Sequence, residues 1–381
     1  MHILNINSTL DSILGGGTAE RTMQMSRYLS MEKKIVVSVL TLNIGITDQV
    51  KNKLTGVNLI TIPCINNRFL VPFITNKKIS ESIRKADVIH LMSHWTIINL
   101  IAYFWILKYK KPYVVCPAGA LPIFGRSKIL KKLYNLLGGN SYIKNANITI
   151  AISNDELDHF LSYKVDKKNT LLIPNGIEPN SYLNKNDNLI RKKFSIGGSP
   201  FLLFVGRLNY IKGPDLLLEA FSQIEKKYPN YKLIFVGPDN GMKNSLILES
   251  EKLGLSDKVK FIGYVDGELK SMLFHAANLL VIPSRSEAMS IVVLESAITS
   301  TPVLMTNTCG LEEMTGANGA ISVNPNAASI SKGLLETLKK DSNLTLRGEK
   351  LKKYVESKFT WDQIVKEYIK MYENILSKSL K

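Results

Sequence analysis

Short apolar runs alternate with amphipathic stretches of helical length along almost the whole chain, and this alternation constrains the fold most. Apolar runs bounded by turn residues and separated by helical patterns are typical of βαβ units, which build parallel sheets. The predicted strands are 2–7, 34–42, 57–62, 87–92, 112–116, 148–152, 170–174, 201–206, 232–237, 258–263, 278–283, 302–306 and 320–323. The predicted helices include 18–30, 95–109, 128–137, 154–163 and 359–376.

A polar stretch rich in Asn, Gly, Pro and Ser, residues 174–200, interrupts the alternation and predicts a linker. The length of 381 residues also favours two domains, because single cores stop growing at roughly 250–300 residues. We therefore predict the α/β class, with two doubly wound Rossmann-like domains that face each other across a cleft holding the site. The predicted boundaries are 1–175 for the first domain, 176–199 for the linker, 200–357 for the second domain and 358–381 for a C-terminal helix packing back on the first.

The segment LLFVGRLNYIKG (202–213) places two fixed cations, Arg207 and Lys212, in the turn between a predicted strand and a helix. Gly206 permits a tight turn, and Gly213-Pro214 suits a helix start. A helix N-terminus with two cations beside it favours phosphate. Such charge would stabilise a departing nucleoside diphosphate more than the bound ground state. The alternative is a pair of solvated surface cations.

Two glutamates eight positions apart, Glu287 and Glu295, follow in SRSEAMSIVVLESA. The first lies in a predicted loop and the second in the next helix, so their carboxylates can converge on one ligand. Carboxylates accept hydrogen bonds from paired hydroxyls, as in ribose and hexose. The alternative, a helix-start acid and a solvated acid, is disfavoured because the apolar IVVL run predicts burial, and a buried carboxylate without partners is costly. The residues between the glutamates are predicted to offer backbone N–H groups to phosphate: Met289, Ser290 and Ile291.

Two further features belong to the first domain. The glycine-rich segment 10–21 follows the first predicted strand, and Gly16 or Gly17 could bring the backbone close to a phosphate or a sugar. A plain flexible turn is the alternative. His94 follows a predicted strand, so we expect its ring to point into the cleft and to bond a sugar hydroxyl or act as a base. A structural cap is the alternative for His94, while His90, inside the strand, is expected to be structural.

The chain is strongly basic, with 49 Lys and Arg against 32 Asp and Glu, a net charge of +17. A net positive charge of this size suits binding to an anionic membrane surface, a phosphorylated lipid or nucleic acid. The alternative is that the whole proteome is lysine-rich, which would also give the chain a high net charge. The segment RSKILKKLYNLL (126–137) is amphipathic and basic, which is typical of an interfacial helix; a core helix with a solvated basic face is the alternative. Between Asp87 and Asp155 there are no acidic residues but eight basic ones: Lys108, Lys110, Lys111, Arg126, Lys128, Lys131, Lys132 and Lys144.

Other patterns bound the location and the chemistry. The three cysteines have no CxxC spacing and predict reduced thiols in the cytoplasm, and MHILNIN predicts a first strand rather than a signal peptide. The apolar segment 95–109 is shorter than the ~20 residues a membrane span needs, so we expect a buried helix. No D-x-D pair occurs, and we expect neither a metal nor a cofactor, since Arg207 and Lys212 can hold a diphosphate.

At these residues the chain resembles the retaining GT-B glycosyltransferases known as glycosyl transferases group 1, over nearly its whole length and in the family's motif order. GGGTAER resembles the N-terminal glycine loop, HLMSHWT the acceptor-side histidine segment, and IPNGIEPNSY the entry to the linker. VGRLNYIKGPDLLLEAF is similar to the phosphate motif, and SRSEAMSIVVLESA matches the E-x7-E segment. The chain departs from the family pattern at two places. Ala118 stands where the family often has His, which removes a possible acceptor contact, and Ala288-Met289 replaces the common Gly-Phe, which alters the shape expected for the sugar-side pocket.

The resemblance implies a role for each candidate residue. Arg207 and Lys212 would hold the diphosphate, Glu287 would contact the donor sugar and Glu295 would contact the ribose. The remaining implied contacts are Gly16 or Gly17 with the donor phosphate or the acceptor, His94 with the sugar, and Val265 and Leu269 with the base.

The resemblance also implies an activity. This is retaining, metal-independent transfer of a hexosyl unit from a UDP- or GDP-sugar to a saccharide acceptor, with the leaving phosphate helping to take the acceptor proton. We expect the acceptor to be a lipid-linked glycan of bacterial lipopolysaccharide or capsule synthesis, met at the inner face of the cell membrane. The alternatives are a GT-B-fold epimerase or phosphorylase, and a non-catalytic, membrane-associated nucleotide-sugar-binding protein. Nucleic-acid binding fits the charge but not the motifs.

Overall fold

The computed structural model describes residues 1–11, 13–73, 77–123, 127–339 and 343–379. The basic position Arg126 therefore lies outside the described residues. The chain divides into two compact units, Met1–Gly176 together with Trp361–Lys381, and Ile177–Thr360.

The first unit is built on a seven-stranded sheet with helices between its strands. A separate antiparallel pair, Cys64–Asn66 with Val71–Pro72, had no counterpart in the predicted strands. The strands are β1 His2–Ile6, β2 Val36–Leu42, β3 Asn58–Ile62, β4 Cys64–Asn66, β5 Val71–Pro72, β6 Val88–Met92, β7 Tyr113–Cys116, β8 Ile148–Ala151 and β9 Thr170–Leu172. The helices are α1 Gly16–Ser30, α2 Asp48–Lys53, α3 Lys77–Lys85, α4 Ile97–Tyr109, α5 Lys128–Tyr134, α6 Asn140–Lys144 and α7 Asp155–Ser162.

The strand order of this sheet is β3-β2-β1-β6-β7-β8-β9, and every neighbouring pair is parallel. The order reverses between β1 and β6, so the loops that follow these two strands leave the sheet side by side. All five residues of β6 are buried, which explains why its sequence is an apolar run broken only by His90. The His90 imidazole lies 2.8 Å from the Tyr372 hydroxyl, which agrees with the structural role predicted for it.

The C-terminal helix, Trp361–Ser379, packs on α1 within this first unit. The buried Arg21 guanidinium donates hydrogen bonds to the Tyr368 hydroxyl and, at 3.0 Å, to the Ile173 carbonyl oxygen. Trp361 stacks on Tyr28 with 6.3 Å between ring centres. A buried cation that bonds both a strand end and the helix ties the last residues of the chain to the first sheet.

The second unit has a six-stranded sheet of order β12-β11-β10-β13-β14-β15, again parallel throughout. Its strands are β10 Phe201–Val205, β11 Lys232–Val236, β12 Val259–Gly263, β13 Leu279–Ile282, β14 Val303–Thr306 and β15 Ile321–Val323. Its helices are α8 Asp187–Lys193, α9 Pro214–Ile224, α10 Lys243–Lys252, α11 Gly267–Ala276, α12 Ile291–Ile298, α13 Ala327–Thr337 and α14 Leu344–Lys358.

Two doubly wound parallel sheets confirm the predicted α/β class, and all thirteen predicted strands are present within two residues of the predicted ends. The stretch predicted as a linker is more structured than expected. It contains a 3-10 turn at Pro179–Tyr182 and the helix α8, and it buries Ile190 and Ile196 in the second unit. Two of its turn-type residues start these elements: Asn186 caps α8, and Pro179 is the first residue of the 3-10 turn.

The expectation of a buried helix over 95–109 is only half right. One face of α4 is buried through Ile98, Ala102 and Ile106, but Phe104 and Leu107 are exposed on the other face. The helix packs against the sheet with one face only. Because its sequence is apolar on every face, apolar side chains remain at the surface. No helix in the described part of the chain is long and apolar enough to cross a membrane.

Candidate functional site

The second sheet brings two loops together where its strand order reverses. β10 and β13 are parallel neighbours in that sheet, so the loops after Val205 and Ile282 leave at the same edge. The first loop carries Arg207 and Lys212, and the second carries Glu287. The topology therefore places the predicted cations and the first predicted glutamate beside each other.

A cap and a glycine shape the loop after β10. The Asn209 side chain accepts a hydrogen bond from the Lys212 N–H at 3.0 Å, which closes a 3-10 turn over Tyr210–Lys212. Gly213 follows with φ of +66°, in the left-handed region that suits glycine. A β-carbon on Gly213 would lie 2.1 Å from the carbonyl oxygen of Pro283. Only glycine therefore allows the two loops to approach this closely.

Lys212 and Glu287 form an ion pair, with Nζ 2.9 Å from Oε2. The glutamate side chain is 8% exposed and the lysine side chain is 31% exposed. The Ser284 hydroxyl donates to Oε1 of the same carboxylate, and the Glu287 N–H donates to the Thr308 carbonyl oxygen at 2.9 Å. The carboxylate is held at both oxygens, whereas the ammonium remains partly open to solvent and to an incoming anion.

Arg285, which the sequence reasoning did not single out, ties the two loops together. Its guanidinium donates two hydrogen bonds to the Asp215 carboxylate, at 2.9 and 2.6 Å, and one to the Tyr210 carbonyl oxygen at 2.7 Å. The same group lies 3.9 Å from the centre of the Tyr210 ring. The hydrogen bonds to Asp215 raise the pKa of Arg285 above its usual value. The two residues flank known motifs, Asp215 three positions after Lys212 and Arg285 two before Glu287.

Glu295 lies in the second turn of α12 and has two partners from other elements. Lys270 Nζ, on α11, lies 2.7 Å from Oε1 and 2.6 Å from Oε2. The Tyr182 hydroxyl donates to Oε1 at 2.7 Å. Neither partner was predicted, because they stand 25 and 113 positions away in the sequence and no spacing rule connects them to Glu295.

The residues between the two glutamates differ from the prediction in one respect. The Ser290 N–H donates to the Cys309 carbonyl oxygen at 3.1 Å, so it is not presented to a phosphate. Met289 is buried, and α12 begins at Ile291 with Ser290 as its N-cap residue. The Ser290 hydroxyl is buried and finds no hydrogen-bond partner among the described residues. A helix start with an unsatisfied hydroxyl suits an anion.

Three more of the predicted donor contacts also lie in the second unit. Arg207 is half-buried in the loop after β10, Val265 is buried two residues beyond β12, and Leu269 is half-buried on α11. Across the ranges that the structure describes, no group of three or more His, Cys, Asp or Glu side chains could hold a metal ion.

Gly16, Gly17 and His94 follow the two strands at the reversal point of the first sheet, β1 and β6. α1 begins at Gly16, whose φ of +53° is in the left-handed region. Gly16 is half-buried and Gly17 is exposed. These three residues therefore share one edge of the first sheet.

The expected exposure of the His94 ring is corrected by the structure, which buries it completely. Nε2 lies 3.0 Å from the Asn135 side-chain oxygen, and Nδ1 is within hydrogen-bond distance of the Tyr142 hydroxyl. The rings of Tyr134 and Tyr163 stand edge-on to the imidazole, with centres 5.3 and 5.4 Å away. Burial lowers the pKa of His94 to about 4, so the imidazole is neutral at physiological pH. Both nitrogens are engaged, as a structural role requires.

Two family models match the chain. "Glycosyl transferases group 1" matches residues 186–358, and "Glycosyltransferase Family 4" matches residues 15–181. The two matches fall in the second and the first unit and leave few described residues outside them.

Curated relatives match over part of their length. An uncharacterized glycosyltransferase of Methanocaldococcus jannaschii is 34% identical over 209 residues, which is 53% of this chain and 53% of the relative. Mannosylfructose-phosphate synthase of Agrobacterium fabrum is 32% identical over 179 residues, 44% of this chain and 39% of the relative. The chain thus spans about half the length of the curated relatives it matches.

Solved structures are similar over nearly the whole chain. HepE of Anabaena in complex with UDP has a TM-score of 0.79 at 16% identity, covering 98% of this chain and 100% of that one. WaaG, a glycosyltransferase involved in lipopolysaccharide biosynthesis, has a TM-score of 0.65 at 20% identity, covering 96% and 98%. At these identities the likeness shows the fold. The likeness to solved structures shows that the chain has the GT-B fold. The two family matches and the glycosyltransferase relative show that the chain belongs to the glycosyl transferases group 1 family.

Proposed function

We propose that the protein transfers a hexosyl unit from a nucleotide diphosphate sugar to a saccharide acceptor, with retention of configuration and without a metal ion or other cofactor. The observation that carries this proposal is the ion pair between Lys212 and Glu287 at the reversal point of the second sheet. In this pair a partly exposed cation, suited to a phosphate, lies next to a held carboxylate, which suits sugar hydroxyls. UDP- and GDP-sugars are the proposed donors.

The chemistry follows from these charges. The bond between the anomeric carbon and the diphosphate oxygen breaks while the acceptor oxygen bonds that carbon on the same face. The acceptor proton passes to the departing phosphate. Arg207 and Lys212 stabilise the negative charge that grows on the diphosphate, together with the start of α12 beside Ser290. Lys212 can leave Glu287 for the diphosphate, and the carboxylate then accepts hydrogen bonds from the sugar.

A panel of UDP-, GDP- and ADP-sugars in a thermal-shift assay tests donor binding, because a ligand that binds only the folded state raises its stability. We expect one nucleotide to raise the Tm clearly and to support transfer to a saccharide acceptor. Glu287→Gln should keep the fold and lose transfer. Lys252→Met removes a solvated surface lysine that pairs with Glu249 on α10, and it should retain full activity. Full activity of the Glu287 variant would refute the site.

We further propose that the acceptor is a lipid-linked glycan of bacterial surface polysaccharide synthesis, met peripherally at the inner face of the membrane. The supporting feature is an exposed apolar surface flanked by lysines on the first unit. No residue of α5 is buried, which argues against the alternative of a core helix with a solvated basic face. This α5 surface consists of Lys128, Ile129, Leu130, Lys132, Leu133, Leu136 and Leu137, all of them exposed.

The charge around the α5 surface favours an anionic bilayer over a neutral one. It lies in the stretch between Asp87 and Asp155 that has no acidic residue, and each lysine near an anionic leaflet contributes about 1 kcal/mol. Flotation with vesicles that contain or lack anionic lipid tests this. We expect binding to the anionic vesicles that weakens at high salt. Equal binding to both kinds of vesicle, or to neither, would refute the proposal.

A further inference from the structure

Each glutamate of the E-x7-E pair has its own lysine. Lys212 holds Glu287, and Lys270 holds Glu295 through both carboxylate oxygens. The second pair also includes the Tyr182 hydroxyl, which donates to Glu295 at 2.7 Å. Three elements distant in the sequence therefore meet at one carboxylate: the 3-10 turn at Pro179–Tyr182, α11 and α12.

This cluster is a built site rather than a surface ion pair. The side chains of Glu295 and Lys270 are 8% and 21% exposed. Phe274, fully buried, supports both partners of the carboxylate: the Lys270 ammonium lies 5.9 Å from its ring centre, and the Tyr182 ring centre lies 6.3 Å away. The orientation of the carboxylate is thus set from two sides.

The cluster still has capacity for a ligand. A carboxylate offers about four acceptor positions and an ammonium three donors. Within the described residues, Oε2 of Glu295 is buried and interacts with Lys270 alone, whereas Oε1 also accepts from Tyr182. A ligand with neighbouring hydroxyl groups could donate to the carboxylate and accept from the ammonium at the same time.

A purely structural reason for this arrangement is weak. Burying an ion pair costs desolvation, and apolar residues of the same volume often stabilise a core as well or better. Leu269, half-buried, precedes Lys270 on α11, and Glu287 lies one loop before Glu295, so the cluster borders the predicted site. A polar group retained at such a place is better explained by recognition.

We propose that Lys270 and Tyr182 are specificity-determining residues that complete a ribose subsite around Glu295. They hold the carboxylate so that it accepts from a ribose hydroxyl, and Lys270 donates to an oxygen of the same sugar. The subsite therefore prefers ribonucleotides to 2′-deoxyribonucleotides. This inference rests on the proposed function, because it assumes that a nucleotide diphosphate sugar is the donor.

The test measures binding constants for UDP and GDP, for their 2′-deoxy counterparts and for inorganic pyrophosphate, with the full-length protein. The variants are Lys270→Met and Tyr182→Phe. The matched controls are Lys252→Met, which breaks a solvated i,i+3 pair, and Tyr228→Phe, which removes a hydroxyl that bonds a backbone carbonyl oxygen. Inorganic pyrophosphate tests the phosphate end of the site without the ribose end, because it has no ribose.

We expect Tyr182→Phe to weaken binding of the preferred ribonucleotide by about threefold to tenfold, and Lys270→Met by about tenfold or more. Both variants should also narrow the gap between the ribonucleotide and its 2′-deoxy form. Pyrophosphate binding should change less than twofold, and the controls should match the wild type in every measurement.

Three results would overturn the inference, and they differ in whether the proposed function also fails. If both variants bind the ribonucleotide like the wild type, the subsite is wrong but the proposed function stands. If pyrophosphate binding falls equally, the cluster only supports the fold. If the wild type binds neither UDP nor GDP, the proposed function fails as well. Tyr182→Phe removes a single hydroxyl, so the test remains decisive even if Lys270→Met does not fold.

Discussion

Gly213 approaches Pro283 so closely that a β-carbon on the glycine would lie 2.1 Å from the proline carbonyl oxygen. The contact joins the loop after β10 to the loop after β13, and Lys212 is the residue immediately before it. Arg285 spans the same two loops through Asp215 and the ring of Tyr210. The distance between Lys212 and Glu287 is therefore set by backbone packing as well as by their own ion pair.

Gly213→Ala should destabilise the second unit and weaken nucleotide binding. The left-handed φ of +66° costs an alanine about 1 kcal/mol, and the overlap with Pro283 adds at least about 2 kcal/mol more. Gly254→Ala is the matched control, because Gly254 has φ of +69° but a β-carbon there would have no described atom within 4 Å. Chemical denaturation should show a clearly larger loss for the Gly213 variant. Equal losses would mean that the loops do not need this contact.

Lys212→Met should lower kcat/KM by about a hundredfold to a thousandfold, the usual effect of removing one stabilising charge from a transition state. The variant should also lose about 1–3 kcal/mol of stability, because it leaves the Glu287 carboxylate, 8% exposed, without its cation. The double variant Lys212→Met with Glu287→Gln should recover much of the stability and none of the activity. Recovery of activity would assign the pair to folding alone.

The residues proposed for the phosphate and sugar ends of the site could be singled out from the sequence because they lie within short motifs at strand ends. Lys212 and Glu287 each follow a strand, and parallel strands bring such positions to one edge of a sheet. The partners of Glu295 could not be found in this way. Tyr182 lies in a stretch with the composition of a linker, and Lys270 lies on a helix whose pattern gives no reason to single out one lysine.

His94 shows a different limit of sequence-based prediction. A histidine after a strand is correctly placed at the sheet edge, but its exposure depends on what covers it. Here Tyr134, Asn135, Tyr142 and Tyr163 do so, from positions 40 to 69 residues later in the chain. The same cluster includes the residues that follow α5 in the chain. Burial by aromatic groups that are distant in the sequence leaves no local trace in it. The pattern of the strand is the same whether the histidine that follows is buried or exposed.

The pH dependence of stability follows from His94. Its pKa of about 4 in the folded state lies below the value of about 6.5 in an unfolded chain, so the unfolded state takes up a proton first as the pH falls. The contribution to stability is therefore complete above about pH 6.5 and is lost progressively towards pH 4. Between pH 7 and pH 5 the loss should be about 2 kcal/mol from this residue. Urea unfolding at both pH values measures it.

His94→Gln isolates that contribution, since a side-chain amide has no proton to gain in this range. We expect the variant to show a smaller loss between pH 7 and pH 5 than the wild type. His90 should account for part of what remains, because burial lowers its pKa to about 3, with Arg21 adding to the effect. An unchanged pH dependence of stability in the Gln variant would show that His94 takes up its proton as readily in the folded protein as in the unfolded chain.

The α5 surface should lose membrane affinity when its most exposed apolar groups are replaced. Ile129 and Leu136 are 83% and 82% exposed, and each would contribute about 1 kcal/mol on partial insertion into a bilayer. Ile129→Asn with Leu136→Asn should lower the partition coefficient on anionic vesicles by roughly thirtyfold while leaving the Tm within a few degrees, because neither side chain is packed. Leu183→Asn is the control, since Leu183 is 68% exposed in the second unit. Unchanged binding of the double variant, or an equal loss in the control, would exclude this surface.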